Sequence, residues 1–255
     1  MMGKGHAVLG TATWCAGVTY AFPALGWDTN PLILTLGALP VAGAALRPDI
    51  DHPSATMANS GGFITKGVAH LANAVSGGHR EGTHRLWFWL ACAVFDFTLT
   101  ATFGQPAAMG LFFLYTAFGA QALAKSTLFR RMNRRWRSNT GIFAKLWCWA
   151  FAAAATAGAY FVFPEPQMWW WLPIGVTVGH ATHLVGDAMT TQGWEWTQGH
   201  TLRFPILGDA GSERETILTW ALGVVTVIFI VTSFGGIDPM DLIRSLRDTF
   251  GEKLA

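Results

Sequence analysis

Charge is scarce in this chain. Of its 255 residues, 13% are Asp, Glu, Lys or Arg against 51% apolar, and long stretches carry no charge at all. Cysteine is scarcer still. Cys15, Cys92 and Cys148 sit far apart in apolar segments, which leaves no disulfide framework and no zinc knuckle; all three read as small buried hydrophobes. A cleavable signal peptide is not expected, because the first apolar segment runs past signal-peptide length without a small-x-small cleavage site. Trp14 before Cys15 argues against a lipoprotein signal. No internal repeat is visible.

What the chain does have is apolar runs, with a mean hydropathy of +0.33. A bilayer-spanning helix needs about 20 mainly apolar residues. Segments near 7–25, 31–47, 86–104, 106–124, 146–163, 169–189 and 217–235 approach or meet that length. A soluble core hides one or two such segments, not seven. The expected fold is therefore all-α, a polytopic bundle of about seven transmembrane helices. Residues 1–237 form the membrane-embedded domain and 238–255 a charged tail. Residues 62–76 read as a short amphipathic helix at the membrane surface, with Phe63, Val68 and Leu71 toward lipid or protein. The loose alternation from Trp194 to Leu207 reads as a hairpin that rims or lids a site.

Net charge is only +2, but it is lopsided: residues 125–145 hold Lys125, Arg130, Arg131, Arg134, Arg135, Arg137 and Lys145 and no acid. The first reading is a cytoplasmic loop obeying the positive-inside rule, the second a contact with anionic lipid. No nucleic-acid partner is expected. With that loop inside and seven spans, the N-terminus and residues 48–85 and 190–216 also lie inside.

This orientation uses basic residues alone, yet it gathers every His/Asp cluster at one end. His6 opens the first helix, and Asp49, Asp51 and His52 follow the second. His79 and His84 precede the third, and His183 and Asp187 end the sixth. His and carboxylate are common ligands of zinc and its neighbours, and charged or polar groups beside apolar helices are costly unless compensated. The expectation is a metal site at the cytoplasmic end, holding one or two divalent ions, most simply zinc.

Spacing sharpens some of these candidates. His180, His183 and Asp187 lie on one helix face, and the His183/Asp187 pair, one turn apart, suits a single ion. At ~1.5 Å per residue His183 lies about 21 Å and Asp187 about 27 Å from Trp169. Two carboxylates as close as Asp49 and Asp51 repel unless a cation or proton sits between them. His180 reads as a residue that orients a ligand. Arg80, between His79 and His84, suits phosphate or carboxylate, and Glu215 is within reach as ligand or base. His70 and His200 carry no expectation. Asp96, inside the third span, is a functional candidate by default, with no partner identified from sequence.

In order, these motifs resemble the YdjM-like family of bacterial inner-membrane metal-dependent hydrolases. The carriers are Gly5-His6, then Leu46-Arg47-Pro48-Asp49-Ile50-Asp51-His52-Pro53, then Gly78-His79-Arg80-Glu81-Gly82-Thr83-His84. Gly179-His180-Ala181-Thr182-His183-Leu184-Val185-Gly186-Asp187 and Arg203-Phe204-Pro205-Ile206-Leu207 with Glu215 complete the set. Glu81 stands where the family pattern has Gly, and His180 where it allows Tyr. The resemblance implies a multi-pass protein of the inner membrane with hydrolase activity. The expected reaction is metal-assisted hydrolysis of a phosphoester in a lipid-like substrate, with Arg80 on the phosphoryl group and Asp187 or Glu215 orienting water. The alternative is non-enzymatic: a metal transporter or a metal-stabilised scaffold.

Overall fold

The computed structural model describes residues 1–27, 29–78, 81–124, 140–242 and 244. Its elements are α1 (Gly3–Ala16), α2 (Pro31–Ala44), α3 (Phe63–Ser76), α4 (Leu86–Phe103), α5 (Gln105–Ala124), α6 (Thr140–Val162), α7 (Trp171–Ala188), a hairpin of β1 (Trp194–Thr197) and β2 (His200–Leu202), and α8 (Glu213–Gly235). A helix thus lies over each apolar segment. Four of them, Pro31–Asp51, Leu86–Phe103, Gln105–Ala124 and Glu213–Gly235, are long and apolar enough to cross a membrane. α7 is helical throughout, but it carries His180, His183 and Asp187, which lower its hydropathy.

Local chemistry explains the helix ends near the site. Asn30 caps α2, its side chain accepting from the Leu32 amide at 2.8 Å, with Pro31 in the first turn. Beyond Ala44 the chain tightens into a 3₁₀ turn, Arg47–Asp51, with Pro48 near its start. Pro has no N–H to donate and pre-sets φ, so it suits a first turn. At the other wall Ser212 caps α8 by accepting from the Glu215 amide at 3.2 Å. Gly77 closes α3 in the left-handed region at φ 83°.

α2 is the central helix, packed against α1, α5 and α7; α4 lies on α7, α6 on α5 and α8 on α1. Small residues let the backbones approach, as is usual for helices in lipid. A Cβ on Gly43 would lie 1.8 Å from the Tyr115 carbonyl oxygen, and one on Gly119 2.8 Å from the Gly43 nitrogen. Trp14, Trp171, Phe112, Leu34 and Leu172 fill the core between these crossings. The membrane-length windows of α4 and α8 are only 11% buried inside the protein, against 67% for that of α2, so their apolar faces point outward. α3 is amphipathic as expected, with Phe63, Ile64, Val68, Leu71 and Val75 exposed.

The hairpin pairs Trp194 with Leu202 and Glu195 with Thr201. The chain after it returns to the end of α7, where the Phe204 and Leu207 amides donate to the Ala188 and Met189 carbonyls at 2.9 and 3.0 Å. This sets the hairpin beside the His/Asp clusters.

Candidate metal centre

Four segments far apart in sequence meet at one end of the bundle. They are the start of α1, the 3₁₀ turn after α2, the loop before α4 and the last turns of α7. His183 and Asp187 lie on one face of α7, four residues apart, and both are buried. His84 comes from the loop before α4 and Asp49 from the 3₁₀ turn.

The ligand atoms of these four residues converge. His84 Nε2 and His183 Nε2 are 3.2 Å apart. Asp49 Oδ1 lies 3.6 Å from each of them, and Asp187 Oδ2 lies 3.6 Å from His84 Nε2 and 3.7 Å from His183 Nε2. Ligand–zinc distances of about 2.0–2.2 Å put neighbouring ligand atoms of a tetrahedral site roughly 3.3–3.6 Å apart. Asp49, His84 and His183 therefore fit one divalent ion in donor set and spacing, with Asp187 Oδ2 beside both imidazoles.

Hydrogen bonds behind the two rings reinforce this. His183 Nδ1 lies 2.7 Å from the Ala45 carbonyl, which only accepts, so Nδ1 carries the proton. Thr83 Oγ1 donates to Asp51 Oδ2 at 2.5 Å and faces His84 Nδ1 at 3.2 Å. Its own hydrogen being committed to the carboxylate, Thr83 accepts from His84 Nδ1. Both neutral rings thus turn Nε2 lone pairs toward the same point, the arrangement usual for metal-bound histidine. Burial also pushes the His84 imidazole below its ordinary pKa, favouring the neutral ligand form.

His6 forms a second group with His183 and Asp187. Its ring stacks on His183 with centroids 3.6 Å apart. Its Nε2 lies 3.0 Å from the Met1 carbonyl and 3.3 Å from Asp187 Oδ1, while Nδ1 has no hydrogen-bond partner among the described residues. The Met1 amino nitrogen is 2.7 Å from the same Asp187 oxygen.

The remaining candidates fall elsewhere. Asp51 is fully buried but reaches Thr83, one step behind His84. His52 turns away from the cluster and meets the Ser54 amide and hydroxyl through Nδ1 at 3.2 and 2.8 Å. The reason is the turn itself: at three residues per turn, Asp49, Asp51 and His52 cannot share a direction with one another except at i and i+3, and His52 has already left the 3₁₀ geometry for an extended one. Glu215 is buried, yet both its oxygens accept from backbone amides, Met2 at 2.7 Å and Gly211 at 2.7 Å. It ties the head of α8 to the N-terminal segment. His180 sits one turn along α7 from His183, edge-on to Phe88, with neither ring nitrogen hydrogen-bonded among the described residues. His79, Arg80 and residues 125–139 of the basic loop lie outside the described residues.

Sequence reasoning missed three supports: the Ala45 carbonyl, Thr83 and the partner of Asp96. A backbone carbonyl leaves no sequence signal, whereas Thr83, directly before His84, was in view. The partner of Asp96 is Arg47, with Nη1 2.5 Å and Nη2 3.4 Å from the carboxylate.

A cleft of about 220 Å³ leads to this centre, its walls including Glu81, His84, Asp187, Gln192, Trp194 and Thr201. Trp194 fixes the rim by donating to the His84 carbonyl at 2.6 Å. Arg85 adds a second tie, 2.6 Å from Glu195 and 3.0 Å from Glu81.

Neither a curated protein nor a solved structure matches the chain. A family model does match, over residues 1–124, the stretch that supplies His6, Asp49, Asp51 and His84; His183 and Asp187 lie beyond it. Across those residues the chain is a match to the YdjM inner membrane protein family, which bears out the likeness carried by its motifs.

Proposed function

We propose that this protein is a membrane-embedded, metal-dependent hydrolase acting on a phosphoester of a lipid-like substrate. The observation that carries the reading is the convergence of His84, His183, Asp49 and Asp187, both imidazoles having Nδ1 already engaged. The reading includes about seven spans in the inner membrane, with the centre at the cytoplasmic end. Zinc is the ion that best suits His84, His183 and Asp49, a three-residue set that would keep one coordination position open and leave Asp187 beside it. His6, with its unpartnered Nδ1, would serve a second ion bridged through the Asp187 carboxylate, or would orient Asp187 beside the first.

A divalent ion held there supplies Lewis-acid chemistry, polarising a phosphoryl oxygen and lowering the pKa of water toward ~7. The chain's own residues do the rest. Asp187 Oδ2 faces both imidazoles and the cleft, where it can accept a proton from attacking water. Glu215, considered for the same task, is held by two backbone amides and serves the fold around Asp187. Arg80 would clamp the phosphoryl group through its planar fork. The cleft is smaller than the ~300–1,000 Å³ of pockets that enclose a drug-sized ligand. That size suits a polar headgroup whose apolar part stays in the bilayer.

The rival scaffold reading draws on one observation: the cluster joins four separate segments, so an ion there would also stabilise the fold. Thermal melting with and without chelator, beside Arg80→Ala, separates the two. The hydrolase reading expects Arg80→Ala to keep its metal and melt within a few degrees of wild type while losing turnover of phospholipid and generic phosphodiesters. Collapse of that variant favours the scaffold, and metal uptake by vesicles favours a transporter. A fully metallated wild type that turns over no phosphoester removes the hydrolase reading.

A further inference from the structure

We propose that Asp96, acting through Arg47, is a positioning residue for Asp49, and so for the metal centre. This rests on the reading of Asp49 as a metal ligand. Asp96 is fully buried in α4, ten residues past its start, or roughly 15 Å along the helix. A carboxylate at that depth in an apolar span is costly. Arg47 meets it with both terminal nitrogens, and the Arg47 Cζ lies 5.6 Å from the centroid of the buried Tyr115 ring.

The connectivity gives the pair a purpose beyond glue. Arg47 opens the 3₁₀ turn, and Asp49 follows two residues later in the same turn. α4 begins at Leu86, two residues after His84. The Arg47–Asp96 contact therefore closes a ring of structure: Asp49, the turn, Arg47, Asp96, α4, His84 and back to Asp49 across 3.6 Å. Two candidate ligands sit on the two arms of this clamp. Just upstream of the turn, Ala45 orients the His183 ring, so a shift of this segment disturbs two ligands together. Stability alone is a poor reason for a buried ion pair, since apolar replacements of similar volume are often neutral or better. Fixing the distance between two arms is a reason that an apolar pair, with no directional bond, does not meet. Asp96 has a second effect: it balances a guanidinium that would otherwise stand as an uncompensated cation near a cation site.

The test is Co(II) titration of the detergent-purified full chain, read by visible absorption, with thermal melting of the metal-free protein alongside. The variants are Asp96→Asn, Arg47→Lys, and the apolar pair Arg47→Met with Asp96→Leu. Arg47→Lys keeps the charge balance but loses the two-pronged grip, and the apolar pair removes both charges while filling the volume. The proposal expects Co(II) affinity to fall about tenfold or more in Asp96→Asn and in the apolar pair, with the absorption bands shifted. Arg47→Lys should show shifted bands and a smaller loss, with melting near wild type. The proposal is overturned if the apolar pair folds and binds Co(II) with wild-type affinity and bands. Normal binding by Arg47→Lys together with recovery in the apolar pair would likewise overturn it, leaving a purely structural or charge-balancing pair. A wild type that binds no Co(II) fails differently, because it removes the metal reading on which this inference rests.

Discussion

His84 Nε2 and His183 Nε2 lie 3.2 Å apart, each in a ring whose Nδ1 is already committed to another partner. Two lone pairs brought this close repel unless something positive lies between them. Asp49 and Asp187 add negative charge from two further directions. The electrostatics of the four groups therefore favour a cation there, and Asp49, His84 and His183 are placed so that they could hold a divalent one.

Elemental analysis of detergent-purified protein should find about one to two equivalents of a divalent metal, zinc foremost. His183→Ala should retain less than about half an equivalent, since it removes the ligand shared by both His/Asp groups. Equal metal content in wild type and variant would remove the site as drawn.

Asp51→Asn and Thr83→Val should weaken metal binding without removing a ligand. Thr83→Val breaks the chain from the Asp51 carboxylate through the Thr83 hydroxyl to His84 Nδ1, and Asp51→Asn removes its charge; loss of such supports typically costs about 10–100-fold in metal affinity. Competition with a chromophoric chelator measures this. Wild-type affinity in both variants would mean that His84 is oriented by other contacts.

Gly43→Ala tests the helix crossing that sets the end of α2. The added methyl would stand 1.8 Å from the Tyr115 carbonyl oxygen, a backbone atom with little freedom to yield. Overpacking of this kind costs about 1–3 kcal/mol or more, read as a lower melting temperature in detergent. Gly110→Ala, where the added atom meets nothing within 4 Å, is the control and should melt like wild type.

Cysteine labelling in oriented vesicles should place the labels of Ser138→Cys and Thr197→Cys on the same, cytoplasmic side. The basic loop and the hairpin beside the metal centre must share a side if the positive-inside orientation is right. Labelling from opposite sides would separate the basic loop from the site.

The helices and the hairpin were legible in the sequence because they follow from local pattern. Apolar runs near the length of a bilayer leave few alternatives to helix, since backbone polar groups in lipid must bond internally. The alternation around Trp194 signalled the strands in the same way. The His183/Asp187 pair was legible too, because four-residue spacing on a helix decides which side chains share a face. The turn after α2 was not. Asp49, Asp51 and His52 all read as candidates, His52 the weakest, yet the 3₁₀ turn and its extended exit send them to the cluster, to Thr83 and to Ser54. Asp96 announced itself by being charged in an apolar span, but its bond to Arg47 joins residues 49 positions apart in sequence. No periodicity reaches that far: such pairs are set by where the packing of α2, α5 and α7 leaves each helix end. Local pattern thus determined which segments are helical and which side chains share a face. Tertiary packing alone decided which donors meet at the centre and which stand behind them.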